Sequence, residues 1–313
     1  RGIKLRRIYS LPDKDGLIKG DYSALNYKDA LSAHGHKGIT RHFPFQPGID
    51  AAGTVDDSKI DKFKPGDDVL VTGYDLGMNT DGGFGEYIKV PGEWVVPLPE
   101  NMTKREAMIY GTAGFTAGIC MYELERHDIT PDSGKIIVTG ATGGVGSLGV
   151  GMLSTAGYDV TASTGKTDQA EFLKKLGAGN VIHRDEVFDK SNKPMLPGRW
   201  AGAIETVGGN TLSTVIRSTK QRGVVCCLGL VESDDLKVKV YPFILRGVTL
   251  VGIDSAERPM DTRLKIWENI STKWRIAEPD FIAKEISLEE LPGEMEKILH
   301  GGQVGKILIN LNK

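Results

Sequence analysis

Ile136-Ile-Val-Thr-Gly-Ala-Thr-Gly-Gly-Val-Gly146 is the stretch that decides the fold of this chain. A short β-branched run leads into glycines at 140, 143 and 146, and the following Ser147-Leu-Gly-Val-Gly-Met-Leu153 is typical of a helix. A strand, a glycine turn and a helix in this order form the phosphate-binding unit of dinucleotide-binding folds. The spacing therefore predicts a Rossmann-type unit in the middle of the chain.

This turn also predicts a ligand. Backbone N–H groups can approach a pyrophosphate closely only where no Cβ intervenes, and the positive end of the helix dipole favours the negative charge. We therefore expect Gly143, Gly144 and Val145 to contact the phosphates of a dinucleotide. The alternative is a structural turn, because the chain contains 40 glycines and a glycine triplet alone is a weak signal.

The composition is typical of a globular protein of two ordinary domains, with 313 residues of which 40% are hydrophobic and 26% charged. A formal net charge of −2 provides no basic field for nucleic acid. No apolar run approaches the roughly 20 residues that a membrane helix needs. Three cysteines are too few for a disulfide framework, which favours a reducing, cytoplasmic location.

The pattern of the sequence changes near residue 102. Before that point, short candidate strands alternate with turn sequences such as Pro65-Gly66-Asp67. After it, strands and helices alternate, with a strand at 158–162 and a helix at 167–176 following the first helix. Such alternation predicts an α/β fold with a doubly wound parallel sheet. Beyond about residue 256, two helices and a final apolar strand at 304–311 are expected.

The end of the second strand indicates which dinucleotide is bound. A carboxylate about 20 residues beyond the glycine motif is typical of NAD, because it accepts hydrogen bonds from the ribose hydroxyls. Here the strand ends in Ser163-Thr-Gly-Lys166, whose hydroxyls and ammonium suit the 2′-phosphate of NADP. We therefore predict NADPH, with Ser163 and Lys166 as ligands of the phosphate. A solvated turn with an incidental lysine is the alternative.

Four further motifs carry a family resemblance: Tyr22-Ser-Ala-Leu-Asn-Tyr-Lys-Asp29, Phe43-Pro-Phe-Gln-Pro-Gly-Ile-Asp-Ala-Ala-Gly53, Gly111-Thr-Ala-Gly-Phe-Thr-Ala117 and Tyr241-Pro-Phe-Ile-Leu-Arg-Gly-Val248. With them, the chain resembles the medium-chain dehydrogenase/reductase superfamily over nearly its whole length. Within it, the resemblance is greatest to the zinc-independent branch of quinone-oxidoreductase-like proteins and acrylyl-CoA reductases.

The resemblance implies a GroES-like β-barrel catalytic domain plus a Rossmann cofactor domain with a doubly wound parallel sheet. The barrel is expected from residues 1–101 and 256–313, and the NADP-binding domain from residues 102–255. In the family, roughly one more β-hairpin precedes the position of Arg1. The resemblance therefore implies that the N-terminus of the barrel is truncated here.

The resemblance also bears on metal binding. The zinc enzymes of the superfamily have a Cys ligand where this chain has Asn26, and a His-Glu pair where it has Ile49-Asp50. Asn and Ile do not supply the ligands that zinc requires, so we expect no metal. Oxidation of a simple alcohol is then disfavoured, because nothing stabilises the alkoxide. Reduction of an enone, quinone or enoyl thioester is favoured, because the substrate's own carbonyl takes up charge as the hydride arrives.

Asn26, Tyr27 and Asp50 are the candidate catalytic residues. Asn26 and Tyr27 stand where the zinc enzymes keep their first ligand, so the resemblance implies that they face the nicotinamide. An amide can donate to a developing enolate oxygen, and a phenol can donate a hydrogen bond or a proton. Alternatively, Asn26 only caps the short helix that runs through Asp29. Asp50 either orients Lys28 or the cofactor, or is a structural carboxylate.

Four more residues are expected to contact the cofactor. The resemblance places Thr112 near the nicotinamide ribose, although its hydroxyl could instead bond to its own helical turn. Val207, Leu228 and Gly229 follow successive strands at the carboxyl edge of the sheet, where nucleotides lie in doubly wound folds. In the family, the backbone of these segments contacts the nicotinamide half.

The function implied by the resemblance is NADPH-dependent reduction of the activated C=C bond of a small enoyl substrate, with acrylyl-CoA as the preferred prediction. The alternatives are an NADPH quinone oxidoreductase, an alkenal reductase, and a protein that binds NADPH without turnover. Lys28, Arg41 and Arg246 either meet the phosphates of CoA or are solvated charges. A homodimer is expected, because in the family the sheet edge at Thr249-Leu-Val-Gly-Ile253 often pairs with a second copy.

Overall fold

The computed structural model describes residues 14–313, so residues 1–13 of the predicted barrel domain lie outside the described part. The described chain divides into two units. The first contains residues 14–113, Ser255–Ser271 and Ala277–Lys313, and the second contains Gly114–Asp254 and Thr272–Ile276. Both chain ends of the described part therefore contribute to one unit, and the second unit is inserted between them.

The strands are β1 (Gly16–Leu25), β2 (Asp50–Ser58), β3 (Asp68–Thr72), β4 (Tyr87–Val90), β5 (Val96–Pro97), β6 (Ile136–Val138), β7 (Val160–Thr164), β8 (Asn180–His183), β9 (Trp200–Glu205), β10 (Thr219–Cys227), β11 (Thr249–Gly252), β12 (Ala283–Ile286) and β13 (Lys306–Asn310). The α-helices are α1 (Tyr27–Ala33), α2 (Lys104–Arg126), α3 (Gly144–Thr155), α4 (Ala170–Lys175), α5 (Gly209–Arg217), α6 (Tyr241–Arg246), α7 (Met260–Ser271) and α8 (Leu291–Leu299).

The first unit is built on a seven-stranded sheet in the order β12-β13-β1-β2-β3-β5, with β4 also paired to β1. All of these pairs are antiparallel except β12 with β13. Alternate residues of the strands face one core, as in Val69 and Val71 of β3 and Ile88 and Val90 of β4. This is the GroES-like domain that the resemblance implied.

The second unit contains a six-stranded sheet in the order β11-β10-β9-β6-β7-β8, and every pair is parallel. Counted from its first strand, this is the 3-2-1-4-5-6 order of the Rossmann fold, read from the other edge. Strands β6 and β9 are buried along their whole length, and so are residues 223–226 of β10, as expected for a parallel sheet covered on both faces. The predicted α/β fold class is confirmed.

The long helix α2 explains why the units divide after Ala113 rather than near residue 102. Gly111 interrupts this helix with φ 49° and ψ −153°, a conformation that a side chain disfavours. The residues before and at the break belong to the first unit, where Thr112 bonds to Asp50. At the other end, Trp274 belongs to the second unit because its indole Nε1 donates to Glu125 Oε1 at 3.0 Å.

Most elements lie where the sequence pattern predicts them, but some bounds differ. The second strand of the Rossmann sheet is Val160–Thr164 rather than 158–162, because the Tyr158 N–H still bonds to Leu153 O at the end of α3. Helices α5 and α6 and strand β12 were not predicted. Gly208 is the N-cap residue of α5, and its first turn contains Gly209 and Asn210; glycine and asparagine are poor helix formers, so the helix signal in the sequence is weak here.

Candidate active site

The glycine turn between β6 and α3 is closed tightly on itself. Gly140 has φ 56°, in the left-handed region, and its carbonyl accepts the Gly143 N–H at 2.9 Å. A Cβ on Gly146 would lie 2.8 Å from the Cα of Ala141 and would also overlap the carbonyl of Gly140. Only glycine fits at this position, and the turn forms a cradle that a pyrophosphate can approach.

The first N–H groups of α3 belong to Gly144 and Val145, with Gly143 as the N-cap residue. These two residues and Gly143 are partly exposed. Because the first N–H groups of a helix have no intrahelical partner, they are available to an anion at this end. The residues present therefore fit the phosphates of a dinucleotide, as the motif predicted.

Glu205, at the end of β9, organises the neighbouring loop and was not predicted from the sequence. Its buried carboxylate accepts hydrogen bonds from the hydroxyl of Thr139 and from the N–H groups of Val207 and Gly208, all between 3.0 and 3.1 Å. Burial raises the pKa of Glu205 to about 7, although these hydrogen bonds oppose the shift. Glu205 thereby joins the end of β6 to the loop that follows β9.

The loops after β9 and β10 lie against each other at the same edge of the sheet. A Cβ on Gly229 would lie 2.6 Å from the nitrogen of Val207, so only glycine permits this approach. The Leu228 N–H donates to Glu205 O at 3.1 Å. Val207, Leu228 and Gly229 are all partly exposed. The structure therefore brings these three predicted cofactor residues together at the carboxyl edge.

The end of β7 differs in detail from the predicted 2′-phosphate site. Ser163 lies inside the strand and is only 1% exposed, so its hydroxyl is not at the surface. Lys166 is partly buried, and this burial lowers the pKa of its ammonium, with Asp168 opposing the shift. The guanidinium of Arg184 lies beside Gly165, 3.3 Å from where a Cβ on that glycine would stand. A second cation therefore accompanies Lys166.

In the first unit, Asp50 is the centre of a buried hydrogen-bond network. Its carboxylate accepts the Thr112 N–H at 2.9 Å, the Thr112 hydroxyl at 2.6 Å and the Asn26 side-chain amide at 2.7 Å. A Cβ on Gly111 would lie only 2.5 Å from Asp50 Oδ2. Asp50 is fully buried, so the structure assigns it to holding β2, α1 and α2 together. Lys28, which it was suggested to orient, is exposed.

This network also gives the Thr112 side chain a partner outside α2. Its hydroxyl donates to Asp50 Oδ1 at 2.6 Å. Thr112 is partly exposed, so it combines a bond to the buried network with access to the surface. Its predicted contact with the nicotinamide ribose stays a prediction.

Every polar position of the Asn26 side chain has a partner within the first unit. The amide nitrogen donates to Asp50 Oδ2 at 2.7 Å and to Ala24 O at 3.2 Å, and Oδ1 accepts from Lys306 Nζ at 3.0 Å. An amide has two N–H donors, and both are used here. Donation to a substrate oxygen would therefore require one of these bonds to break.

Asp29 fixes the start of α1 from the other side. Its carboxylate accepts the backbone N–H of Asn26 at 2.8 Å and that of Ile49 at 2.9 Å. Burial raises the pKa of Asp29 to about 7, and the nearby charge of Asp50 adds to the shift. Asn26 thus occupies the N-cap position of α1, and its side chain belongs to the buried network.

Tyr27, the first residue of α1, is exposed beside this network. Its side chain is 43% exposed, in contrast to Asp50 and Asp29. Of the three predicted catalytic residues, Tyr27 is therefore the one whose donor can reach a small molecule without rearrangement.

Arg246 does not serve the predicted CoA site. Its guanidinium donates to the carbonyls of Leu196, Thr219 and Arg217 at 2.6, 2.8 and 3.1 Å. These bonds satisfy the buried backbone around the start of β10, so Arg246 has a structural role. Lys28 and Arg41 are exposed, and their contact with CoA stays a prediction.

Two absences concern only residues 14–313. No group of three or more His, Cys, Asp or Glu side chains within this range could hold a metal ion. Among the helices of the same range, none is long and apolar enough to cross a membrane. The three cysteines are free; Cys120 and Cys226 are buried, and Cys227 is partly buried.

Comparison with known proteins agrees with this architecture. The profile of the alcohol dehydrogenase GroES-like domain matches residues 12–100, and that of the zinc-binding dehydrogenases matches residues 144–271. Acrylyl-CoA reductase AcuI of Ruegeria pomeroyi is 39% identical over 99% of this chain and 94% of its own length. A Bacillus subtilis protein with the provisional name quinone oxidoreductase YhfP is 46% identical over 99% of this chain and 94% of its own length.

Crystal structures of two relatives superpose closely. YhdH of Escherichia coli with bound NADPH gives a TM-score of 0.96 at 41% identity, covering 99% of this chain and 95% of that one. The B. subtilis protein YhfP with bound NAD also gives 0.96, at 44% identity, covering 99% and 94%. The fold and the glycine cradle define a two-domain oxidoreductase. The chain belongs to the medium-chain dehydrogenase/reductase family, in its zinc-independent branch.

Proposed function

We propose that this protein reduces the activated C=C bond of a small enoyl thioester, acrylyl-CoA above all, with NADPH and without zinc. One observation of the site carries the proposal. An exposed donor, Tyr27, directly follows Asn26, which stands where the zinc enzymes keep a metal ligand, and both donors of the Asn26 amide are already used. The 39% identity to a protein named acrylyl-CoA reductase supports the choice of thioester.

NADPH, when bound, supplies the hydride that reaches the β-carbon of the substrate. The cradle at Gly143, Gly144 and Val145 holds its pyrophosphate, and Lys166 with Arg184 holds the 2′-phosphate. A lysine and an arginine favour a phosphate dianion, whereas NAD-selective enzymes place a carboxylate at this position. The NADPH found in YhdH of E. coli supports this choice, and the NAD found in YhfP shows that the fold also accepts the other dinucleotide.

In this proposal, the residues of the first unit act on the substrate carbonyl. Tyr27 donates a hydrogen bond to the thioester oxygen, which carries more charge in the enolate than in the ground state. A donor aimed at that oxygen therefore stabilises the transition state more than the substrate. A proton from water then adds to the α-carbon and completes the reduction. Asp50 and Asn26 maintain the position of Tyr27 and do not themselves touch the substrate.

The substrate class is tested by steady-state kinetics with NADPH and three acceptors. We expect kcat/KM for acrylyl-CoA to exceed those for crotonyl-CoA and benzoquinone by at least tenfold. The extra methyl of crotonyl-CoA crowds the carbon that accepts the hydride, and benzoquinone lacks the CoA portion. Equal or faster turnover of benzoquinone would favour the alternative, a quinone oxidoreductase, which the provisional name of YhfP supports. If none of these three acceptors is reduced, alkenals are tested next. No turnover of alkenals either would favour a protein that binds NADPH without catalytic activity.

Replacement of Lys166 with alanine tests the 2′-phosphate contact. We expect the KM for NADPH to rise about tenfold or more, because a charge-assisted bond to phosphate is lost, which is typically about 1.5–3 kcal/mol. The KM for NADH should remain nearly unchanged, because NADH lacks this phosphate. Lys174→Ala in α4 is the matched control, since Lys174 is exposed and pairs with Glu171 along the helix. An equal loss with both dinucleotides would contradict the contact.

We also propose a homodimer formed through the edge of the second unit. In the described part of the chain, β11 pairs only with β10, and the segment that connects these two strands exposes large apolar side chains: Leu230, Val231, Val240, Ile244 and Leu245. An unpaired strand beside an apolar surface favours association with a second copy. Sedimentation that gives the mass of a single chain at micromolar concentration would contradict the dimer. The cytoplasmic location and the lack of nucleic-acid binding stay predictions.

A further inference from the structure

Lys306, at the start of β13, is a fully buried cation that the catalytic proposal has not yet used. Only 1% of the residue is exposed, and the neighbouring Ile307 pairs with Leu25 at the end of β1. Transfer of an ammonium group from water to a protein interior costs several kcal/mol, so partners must compensate. The buried ammonium of Lys306 must therefore be stabilised by hydrogen-bond acceptors or negative charges close to it.

Those partners lie at the junction of β1 and α1. Lys306 Nζ donates to Asn26 Oδ1 at 3.0 Å and to Leu25 O at 3.3 Å. Burial lowers the pKa of Lys306, and the negative charges of Asp50 and Asp29 oppose this shift. The ammonium thus donates to a backbone carbonyl and to an amide oxygen, and it is stabilised by the negative charge of two nearby carboxyl groups. All of these partners belong to the first unit.

The bond from Lys306 determines which way the Asn26 amide faces. With Oδ1 held by the ammonium, the amide nitrogen is directed to Asp50 Oδ2 at 2.7 Å. Without the ammonium, the Asn26 amide could turn by 180°. Its oxygen would then face the Asp50 carboxylate, and its two N–H groups would lose their acceptors, Asp50 Oδ2 and Ala24 O. An unpaired buried polar group costs about 1–3 kcal/mol, so the loss of Lys306 would loosen this junction.

The junction in turn determines the position of Tyr27. Asn26 is the N-cap residue of α1, and Tyr27 is the residue that follows it directly. A displacement of the cap by about 1 Å moves the first side chain of the helix by a similar amount. Misplacement of this size can cost about 100-fold in rate when the group acts on a reacting centre.

We propose that Lys306 is a positioning residue for the reduction: through Asn26 it holds the start of α1 so that the Tyr27 phenol is aimed at the substrate carbonyl. The inference rests on the proposed role of Tyr27. It assigns Lys306 a function in turnover, beyond the packing of β13 against β1. It also gives a reason for a costly buried charge at a position that an apolar residue could fill.

A double-mutant cycle tests the proposal. We expect Lys306→Met to lower kcat by tenfold or more, with the affinity for NADPH, measured by fluorescence titration, changed less than twofold. In a Tyr27→Phe background the same substitution should lower kcat by less than twofold, because the group that Lys306 positions is already gone. Lys306→Arg, which keeps the cation, should recover most of kcat. The control is Lys284→Met, a half-exposed lysine of the same unit that pairs with Glu294.

Three results would overturn the proposal. The first is an unchanged kcat in Lys306→Met. The second is a double mutant whose loss of kcat equals the product of the two single losses. The third is a Lys306→Met variant that loses as much affinity for NADPH as it loses kcat. Hydrogen exchange at the α1 amides gives a readout independent of turnover, and it should rise in Lys306→Met but not in Lys284→Met. If Lys306→Met does not fold, the cycle is run with Lys306→Gln, which removes the charge and retains a donor. A Tyr27→Phe variant with normal kcat would instead contradict the proposed function, while faster exchange in Lys306→Met would still show the contact with Asn26.

Discussion

The Tyr27→Phe variant should lose about 100- to 1,000-fold in kcat with acrylyl-CoA, while its affinity for NADPH stays within a factor of two. The expected size is that of removing one donor from a developing oxyanion. Tyr27 is 43% exposed at the first position of α1, so the loss of one hydroxyl leaves the packing of the domain intact. The melting temperature should therefore change little, which separates a loss of catalysis from a loss of fold.

Two features make this experiment specific. Tyr241→Phe is the matched control, because Tyr241 is also 43% exposed at the first position of a helix but lies in the other unit. Asn26→Ala provides a second comparison. It should lower both kcat and thermal stability, since it leaves Asp50 and Lys306 without their amide partner. A Tyr27→Phe enzyme with kcat near that of the wild type would remove Tyr27 from the mechanism.

The second large effect is expected at the glycine cradle. Gly146→Ala should weaken the binding of NADPH by about 100-fold or more. The added methyl would lie 2.8 Å from Ala141 Cα and would also overlap the carbonyl of Gly140. These contacts are with backbone atoms, so no side-chain rotation relieves them, and the turn must open. An opened turn no longer directs the first N–H groups of α3 at the phosphates.

Fluorescence titration with NADPH measures this loss directly, and NADH should be affected as strongly because both dinucleotides share the pyrophosphate. Gly293→Ala in α8 is the control. A Cβ at Gly293 meets nothing within 4 Å, so this variant should bind NADPH normally. Replacement of glycine by alanine within a helix should also stabilise it by about 0.5–1 kcal/mol. Normal NADPH binding by Gly146→Ala would show that the cofactor does not use this turn.

Several features of the protein could be predicted from the sequence alone. The glycine turn, the parallel sheet and the absence of zinc ligands at Asn26 and Ile49 were readable because each depends on residues close together in the chain. The same holds for Lys166, which follows the second strand directly. In a local motif of this kind, the same few residues allow a particular backbone conformation and provide the groups that contact a ligand. Both properties can be recognised in one short stretch of sequence.

Three residues near the candidate site were missed, two of them because their contacts are with remote parts of the sequence. Arg184 lies beside Gly165, Glu205 receives the Val207 and Gly208 amides, and Lys306 holds Asn26 across 280 positions of sequence. The long-range contacts of Arg184 and Lys306 arise because parallel or antiparallel strands bring remote positions side by side. A lone lysine in the apolar run at the end of the chain gives no signal that it is buried against carboxylates.

The sequence by itself determined the fold class and the family, and it predicted the cofactor cradle and three candidate catalytic residues. Only the tertiary structure decided which of these residues are buried and which hydrogen bonds they make. In the structure, Ser163 and Asp50 are buried, both amide donors of Asn26 are hydrogen-bonded, and Tyr27 is exposed. The physical reason is that donor capacity and exposure depend on all neighbours in space. Strand and turn propensities, in contrast, depend mainly on neighbours along the chain.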